Sequence, residues 1–449
     1  MRGGRGLVAP ASLWRDRRFV LSWAGNAVSQ FGDRISELAL PLIAAGVLDA
    51  SVGQVAWLTA LVWTPNLLAV ALGTWVERGP RKRRLLIVTD LVRAGVLVTV
   101  PIACFWGALT LGQLYAVALL TGLASVVAGC AWAPFFALLV PRSAYVEANS
   151  RFGAARSVSL VAGPALGGGL VQALTAPVAL VADALSFVAS ALLLRRIEID
   201  EPAPATAGRP ALVRDAREGV THILRDPVLR ASLACATTLN FFTFVSSTGL
   251  VVLFADRVLA LSPAAIGLAM GIGASGSLVG ALGAPWLARR IGVGRGVAVG
   301  AVLFPAPIAL AAAADGPAWA RAGILAVTYF LVGLGVMLFD VNLNSLQAAV
   351  IPDALRSRVA GAYSTVNYGV RPLGAIVGGT LATTIGLRAT LVTAAVGGAL
   401  SVLWLLPSPI PGIRDLDHGL NRDPGPDQPS PAFERTPGPV GRATDPSRP

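Results

Sequence analysis

Twelve apolar stretches, each about 20 residues long or longer, recur between Phe19 and Leu406. Because an α-helix rises 1.5 Å per residue, about 20 apolar residues cross the roughly 30 Å of a bilayer's hydrocarbon. The chain is 55% hydrophobic with a mean hydropathy of +0.68, more than a soluble domain with a polar surface reaches. The pattern predicts an all-α polytopic membrane protein with twelve transmembrane helices. The predicted spans, numbered in chain order, are 19–47, 53–76, 84–106, 112–140, 152–174, 177–195, 229–255, 263–288, 296–315, 321–350, 360–384 and 388–407.

Positive charge is distributed unevenly over the loops between these spans. Of the 36 Lys and Arg residues, 30 lie in the N-terminal segment, in or beside the loops that follow even-numbered spans, and in the C-terminal tail, while Arg34, Arg93 and Arg371 lie inside spans. The other loops hold Arg257, Arg321 and Arg388. Since cytoplasmic loops carry the excess of Lys and Arg, we expect a multi-pass protein of the cell membrane with both termini in the cytoplasm. The net charge of +12 is spread over seven short segments, which argues against nucleic acid as a partner.

A repeat divides the spans into two groups of six. The stretch LLVPRSAYVEANSRFGAARSVSLVAGPALGGGL, from Leu138, matches AAVIPDALRSRVAGAYSTVNYGVRPLGAIVGGTL, which begins at Ala348, one residue before its counterpart, so that Pro141 corresponds to Pro352 at an offset of 211 residues. Two such halves are typical of transporters that rock one bundle against the other. The predicted organisation is a cytoplasmic N-terminal segment at 1–18, a six-helix bundle at 19–195, a cytoplasmic linker with a surface helix at 196–228, a second six-helix bundle at 229–407 and a disordered cytoplasmic tail at 408–449.

Several functional classes lack the residues that they require. The three cysteines lie inside apolar spans without a C-x-x-C pair, and the only histidines, His222 and His418, lie outside the spans, so we expect no metal and no cofactor. The single lysine, Lys82, is not part of a phosphate-binding loop, which excludes an ATP-driven pump. Neither H-E-x-x-H nor G-x-S-x-G occurs, so we do not expect an enzyme. The basic N-terminus lacks a cleavage pattern, so we expect span 1 to be retained.

Two segments carry a family resemblance. GTWVERGPRKRRLL, at 73–86, resembles the inner-loop motif of the major facilitator superfamily, G-x-x-x-D-R-x-G-R-(R/K), in Gly73, Glu77, Arg78 and Arg81, with Glu where the family has Asp. SLVAGPALGG, at 159–168, resembles the span 5 motif of exporting members, G-x-x-x-G-P-x-x-G-G, with Ser for the first glycine and with the remaining motif residues matched by Gly163, Pro164, Gly167 and Gly168.

Three further stretches are similar to one branch of that superfamily. VSQFGDRISELALPL, DALSF and YGVRPLGAIVGG look like the branch that contains enterobactin-type siderophore exporters and macrolide and multidrug efflux pumps. The resemblance covers residues 15–407 and implies two six-helix bundles around a central cavity that spans 1, 4, 7 and 10 line. It also implies export of a small molecule. Many proton-coupled drug exporters of the superfamily have an arginine in span 4, which here carries no charge.

Matched glycines occur at G-x-x-x-G spacing in spans 5 and 11. They are Gly163 and Gly167 in the first half, and Gly374 and Gly378 in the second. Small residues at this spacing let helix backbones approach closely. Two interpretations stay open, a sliding interface between the bundles and static helix packing.

Ionisable residues inside the spans are candidate functional residues, because charge at membrane depth is costly unless it is paired or hydrated. Arg34 precedes Glu37 by three residues and can pair with it on one helix face, which leaves Asp33 without a local partner. A purely structural ion pair is the alternative. Trp132 and Phe241 are candidates for an aromatic cavity wall. The predicted substrate and proton pathway consists of Asp33, Arg34, Glu37, Asn240, Asp340 and Arg371.

The charged segment at 73–86 is predicted to be an inner-loop gate. We interpret Gly73, Glu77, Arg78 and Arg81, with Asp90 and Arg93 from span 3, as a latch that stabilises one state of the transport cycle. A simple local pair of Asp90 with Arg93 is the alternative.

These features predict a monomeric secondary active transporter in the lipid bilayer. It would export a small amphipathic organic molecule by alternating access, in antiport with protons that bind a buried carboxylate, Asp33 or Asp340. An uptake permease and a non-transporting membrane protein are the alternatives. The role of Asp183 in span 6 stays open.

Overall fold

In a computed structural model, residues 13–78, 81–141, 144–199, 201, 212–352 and 355–414 are described, and this part of the chain is helical without β-strands. Its helices are α1 (Arg17–Gly46), α2 (Val52–Trp63), α3 (Ala69–Arg78), α4 (Lys82–Phe105), α5 (Leu111–Leu139), α6 (Tyr145–Leu174), α7 (Ala176–Arg195), α8 (Leu212–Arg225), α9 (Pro227–Val245), α10 (Thr248–Arg257), α11 (Pro263–Ile291), α12 (Val293–Leu303), α13 (Ile308–Ala312), α14 (Ala318–Val350), α15 (Arg356–Gly369), α16 (Arg371–Thr384) and α17 (Leu387–Ala399).

Each predicted span corresponds to one helix or to two consecutive helices. Spans 2, 7, 9 and 11 are interrupted near their middle. The interruption in span 2 is a 3-10 turn at Thr64–Leu68, with Pro65 as its second residue. Within the described residues, nine helical stretches are long and apolar enough to cross a membrane. Helix α1 is not among them, although it is 30 residues long, because it carries Asp33, Arg34 and Glu37. The charged residues that weaken its membrane signal therefore belong to the candidate site.

Polar side chains determine where several helices begin. Asp16 accepts a hydrogen bond from the Arg18 amide ahead of α1, and Ser51 forms a capping box with Gln54 at the start of α2. Thr110, Asp226 and Ser262 cap α5, α9 and α11 in the same way. These side chains satisfy backbone amides that have no partner in the first turn of a helix.

The helices pack in two groups, an N-terminal half (α1–α7) and a C-terminal half (α9–α17). In the first, α7 packs against α1 and α4, and α1 also contacts α6; in the second, α14 packs against α11 and α12, and α9 against α16 and α17. The groups meet where α6 contacts α11 and where α2 contacts α16. We call the end where α1, α4 and α9 begin the basic end, since Arg17 and Lys82 lie there, and the opposite one the far end.

The matched glycines are divided between two kinds of contact. A Cβ at Gly163 or Gly167 would press on Arg34 or Ile35 of α1, and one at Gly374 or Gly378 would overlap backbone oxygens of α9. These G-x-x-x-G pairs therefore pack helices within a half, as the static interpretation requires. The following glycines, Gly168 and Gly379, instead contact the other half, at α11 and α2. The glycines at the interface between the halves, Gly168 and Gly379, therefore each follow the second glycine of a G-x-x-x-G pair by one residue.

The two halves are joined at the far end by Arg257. Its guanidinium, at the end of α10, donates hydrogen bonds to the carbonyl oxygens of Ala45 and Ala50, at 3.2 and 3.0 Å. The Ala45 carbonyl belongs to the last turn of α1 and the Ala50 carbonyl to the loop between α1 and α2. Leu38 of α1 is buried in a cluster with α10 and α11 side chains of the C-terminal half. The far end is therefore closed by polar and apolar contacts together.

The segments that flank the C-terminal half are also packed. The predicted surface helix is confirmed as α8, which lies on α15 through an ion pair of Glu218 with Arg358 at 2.5 Å. Residues 408–414 turn back, and Ile410 and Ile413 are buried against α12 and α14. A disordered tail from residue 408 onward is therefore wrong for 408–414, because this segment buries two large apolar side chains. The predicted tail from residue 415 lies outside the described residues.

Candidate substrate cavities and charge network

An apolar cavity of about 340 Å³ lies between the halves, nearer the far end. Its walls come from α1, α2, α9, α10 and α14, and they are mainly apolar and aromatic. The polar groups that line it include the Glu37 carboxylate and the Ser247 and Thr328 hydroxyls. Both hydroxyl residues are 3% exposed, and their oxygens have no hydrogen-bond partner among the described residues. A mainly apolar cavity with a few polar groups in its walls is typical of a site that binds a small organic molecule.

A second cavity of about 420 Å³ lies within the C-terminal half, nearer the basic end. It is formed by α9, α14 and α15, and it is more polar than the first. It reaches the surface at Asn344 and Ser364, which are exposed. The side chains that line it with hydrogen-bonding or charged groups include Asn240, Asp340, Asn344, Gln347, Tyr363 and Asn367. We call the two spaces the apolar cavity and the polar cavity.

Arg371, the first residue of α16, lies between these cavities. Its Nε donates a hydrogen bond of 3.0 Å to Asn240, whose amide in turn donates one of 3.0 Å to Asn367. The guanidinium carbon lies 4.2 Å from the ring centroid of Trp63 and 4.2 Å from that of Tyr368. Phe244 lies on another side of the guanidinium, at 5.0 Å. An arginine stacked on aromatic rings is stabilised by cation–π attraction, most strongly where water is excluded.

A charge network connects α1, α4 and α7 in the N-terminal half. Arg93 of α4 forms an ion pair with Asp33 of α1 at 2.6 Å, and its guanidinium carbon lies 4.1 Å from the Phe187 ring centroid. Asp183 of α7 is completely buried and accepts hydrogen bonds from the hydroxyls of Ser36 and Ser186. A Cβ at Gly32 would overlap the Asp183 carboxylate, so the glycine allows α1 to approach α7 at this level.

The structure resolves which carboxylates are paired. Arg34 and Glu37 form an ion pair at 2.6 Å, as their spacing predicts. Asp33 has a partner after all, since Arg93 reaches it from 60 residues further along the chain. Asp33 lines neither of the two cavities, whereas Glu37 lines the apolar one. Glu37 therefore lines a cavity between the halves, whereas the Asp33 carboxylate is directed towards Arg93 of α4.

Helix α4 directs Asp90 towards α7 and Arg93 towards α1. Asp90 is buried and interacts with the Ser190 side chain of α7, and Arg93 binds Asp33. Asp90 and Arg93 form no ion pair with each other among the described residues, so their simple local pair is not what the structure forms. The reason is that α4 packs against α7 along this face. The latch with Glu77 and Arg78 stays a prediction.

The charged segment is instead held by the chain that follows α7. The Glu201 carboxylate accepts hydrogen bonds from the Lys82 and Arg83 amides at the start of α4, and the Arg83 guanidinium binds the Ile197 carbonyl. An anion at a helix N-terminus is favoured by the helix dipole and the free amides. Gly73 packs near Cys130 of α5, and Arg81 is the residue that precedes α4. The side chains of Glu77 and Arg78 lie outside the described residues.

The sequence did not identify the aromatic residues of the cavities. Trp132 lies in a cluster with the rings of Phe135, Phe136 and Phe152, and Phe241 packs edge-to-face against Phe242, so neither lines the apolar or the polar cavity. The aromatic lining comes from Trp63, Phe244 and Tyr329. A signal for Trp63 was present, because a proline follows two residues later and breaks span 2 at that depth.

Two helical halves with cavities inside a membrane-spanning bundle define a multi-pass membrane transporter. The family model described as Major Facilitator Superfamily matches residues 22–375. The chain belongs to the major facilitator superfamily.

Relatives of known name agree with that membership. The chain is 26% identical over 397 residues to "Multidrug efflux pump Tap" of Mycobacterium tuberculosis (strain ATCC 25618 / H37Rv), covering 86% of this chain and 91% of that protein. It is 24% identical over 414 residues to the pump of the same name from Mycolicibacterium fortuitum, covering 86% and 94%.

Solved structures show the same fold at low identity. A bacterial homologue of the iron transporter ferroportin, in its inward-facing state, is 17% identical with a TM-score of 0.68, over 87% of this chain and 98% of that chain. The nucleoside transporter NupG is 12% identical with a TM-score of 0.67, over 87% and 98%.

Proposed function

We propose that this transporter is a secondary active exporter of small amphipathic organic molecules. The observation that carries the proposal is the apolar cavity, which combines apolar and aromatic walls with the Glu37 carboxylate. Such a lining suits a molecule with an apolar body and a few polar or cationic groups. The relatives named multidrug efflux pumps support the direction and the substrate class.

The proposed exporter works by rocking two halves, at 19–195 and 229–407, about the cavities. It acts as a monomer in the cell membrane, with the basic end and both termini in the cytoplasm, as the loop charges predict. Protons are the proposed coupling ion, carried by a carboxylate at membrane depth. Asp33 and Asp340 are the carriers predicted from the sequence, and Glu37 joins them because it lines the apolar cavity.

Dye efflux from everted membrane vesicles tests this proposal. With an amphipathic cationic dye and an imposed pH gradient, we expect wild-type vesicles to accumulate the dye. The variants Glu37→Gln, Asp33→Asn and Asp340→Asn remove one carboxylate each, and we expect at least one of them to lose most of the gradient-driven movement. Glu147→Gln is the control, because the Glu147 carboxylate is exposed near the start of α6 and lines neither cavity.

Two results would contradict parts of the proposal. If all three carboxylate variants keep wild-type gradient-driven efflux, proton coupling through these residues is wrong. If whole cells that produce the wild-type chain accumulate more dye than cells without it, the protein is an uptake permease.

We further propose that Gly73, Glu77, Arg78 and Arg81 stabilise one state of the cycle at the basic end. Replacing Glu77 with Lys reverses one charge of this segment, and we expect it to slow dye efflux more than it lowers the amount of protein inserted in the membrane. Efflux and quantitative membrane immunoblotting measure the two effects. Equal losses would leave the segment with a role in orientation alone.

A further inference from the structure

The Arg371 side chain lies between the apolar cavity and the polar cavity. Trp63 and Phe244, which lie against the Arg371 guanidinium on one side, line the apolar cavity. Tyr368 and Asn240, which contact it on the other side, line the polar cavity. Two of the residues that line the apolar cavity, Glu37 and Thr248, are exposed, whereas five of those that line the polar cavity are, so more of the polar cavity's lining reaches the surface. Arg371 therefore stands where a path from the polar cavity into the apolar cavity would run.

The contacts that hold Arg371 are neutral ones. Within the described residues it forms no ion pair, and its hydrogen bond goes to an amide oxygen. It is also the first residue of α16, where the helix dipole disfavours a cation. The aromatic rings supply the attraction that keeps the guanidinium in place. A side chain held in this way can leave without separating a salt bridge.

An alternative position for the guanidinium is present in the polar cavity. Asp340 of α14 lines that cavity, interacts electrostatically with Arg371, and makes no hydrogen bond or ion pair among the described residues. Asp340 and Tyr368 are the two titratable groups that interact electrostatically with the Arg371 guanidinium, and Asp340 is the acidic one. A swing of Arg371 from the rings towards Asp340 would exchange cation–π contacts for an ion pair.

We propose that Arg371 is a gate between the two cavities, closed when its guanidinium lies among Trp63, Tyr368 and Phe244, and open when it turns towards Asp340. The open gate joins the two cavities into one path through the middle of the bundle. A molecule that fills this path has an apolar body for one chamber and hydrogen-bonding groups for the other. The use of the path for export rests on the proposed function, whereas the gate concerns only whether a molecule can pass from the polar cavity into the apolar cavity.

Cysteine labelling measures that access without a substrate. In a chain whose native Cys104, Cys130 and Cys235 are replaced by serine or alanine, a single cysteine is introduced in the apolar cavity as Val332→Cys or in the polar cavity as Asn344→Cys. Everted vesicles are treated with a charged, membrane-impermeant methanethiosulfonate reagent. Fast labelling at Asn344→Cys identifies the polar cavity as open to the bath, and we expect slow labelling at Val332→Cys.

Removal of the gate should accelerate labelling in the apolar cavity only. Adding Arg371→Ala should raise the rate at Val332→Cys on the order of tenfold, because the cation–π contacts that favour the closed position are gone. The rate at Asn344→Cys should stay unchanged. Adding Arg371→Lys should give an intermediate rate, since an ammonium retains cation–π attraction but loses the planar guanidinium and its bond to Asn240.

Other results would overturn the gate. Equal rates at Val332→Cys with and without Arg371, or equal acceleration at both cysteines, would show that Arg371 does not control this passage. If Arg371→Ala is not monodisperse by size exclusion, Trp63→Leu removes a ring of the closed position and is expected to give the same selective acceleration. Selective labelling together with absent dye efflux would reject the proposed function and leave the gate standing.

Discussion

Arg93 is the single positive charge that stabilises the carboxylates of the α1–α4–α7 network. It pairs with Asp33 at 2.6 Å, close to the fully buried Asp183. Because Arg93 is 14% and Asp33 33% exposed, truncating one of them leaves the other charge uncompensated at a cost below that of a fully buried ion pair, about 3–5 kcal/mol. We therefore expect Arg93→Leu to lower the apparent Tm, and the double variant Arg93→Leu with Asp33→Asn to recover most of the loss. Thermal denaturation followed by size exclusion measures both.

A matched control for this variant is Arg156→Leu, which removes an exposed arginine from α6. Its Tm should stay close to that of the wild type, since exposed charges contribute little. An equal loss in Arg93→Leu and in the double variant would show that the guanidinium acts through its packing on Phe187 and not through the carboxylates.

At the residue scale, the sequence predicts local pairs and misses distant ones. Arg34 and Glu37 could be paired from a spacing of three residues, because that spacing places them on one helix face. The partnership of Arg93 with Asp33 spans 60 residues and depends on how α4 lies against α1 and α7, which no local pattern specifies. For the same reason, Asp183 received no role from the sequence, although the structure places it at the centre of the network.

Two adjacent glycines of α6 allow the packing of α6 against α11 to be tested separately from the stability of α6 itself. A Cβ at Gly168 would overlap the Pro263 carbonyl of α11, whereas a Cβ at Gly169 meets nothing within 4 Å. Overpacking of this kind costs about 1–3 kcal/mol. We expect Gly168→Ala to lower the Tm and weaken the contact between the halves, and Gly169→Ala to keep or raise the Tm, because alanine favours the helix. Comparable Tm values for the two variants would contradict the crossing.

At the scale of elements, the positions of the helices followed from hydropathy, but their interruptions did not. The 3-10 turn after Trp63 could be suspected from Pro65, and the break before Arg371 from Pro372. The break in span 9 contains Pro305 and Pro307 and could be suspected in the same way. The break in span 7 has a weaker signal, because serines also occur inside continuous helices. The G-x-x-x-G spacing located the close contacts correctly, but not which half each glycine faces, since that depends on the neighbouring helix.

The two halves are joined at the far end by contacts that the whole molecule must break to open there. Arg257 donates to the Ala45 and Ala50 carbonyls of the other half, while Arg388 donates to the Ala312 and Ala314 carbonyls of its own half. Hydrogen bonds from a charged donor contribute about 1.5–3 kcal/mol. We expect Arg257→Ala to shift the molecule towards states open at the far end, and Arg388→Ala to leave that equilibrium unchanged while it lowers stability.

Distances between spin labels on the two halves at the far end measure this equilibrium. Labels at Val47 and Trp319, exposed residues of the two halves, should show a longer population in Arg257→Ala than in Arg388→Ala. Identical distributions in the two variants would assign the closed far end to its apolar contacts alone.

Arg257 and Arg388 also explain two of the three exceptions to the charge asymmetry of the loops. The loop-charge rule does not account for these two arginines. Both bind backbone carbonyls near helix ends, and Arg257 does so across the boundary between the halves. In a transporter of this architecture known only from its gene, an arginine on the side that the rule keeps neutral is therefore worth mutating first. Arginines that violate the loop-charge rule can identify the contacts that hold the helices and halves of such a transporter together.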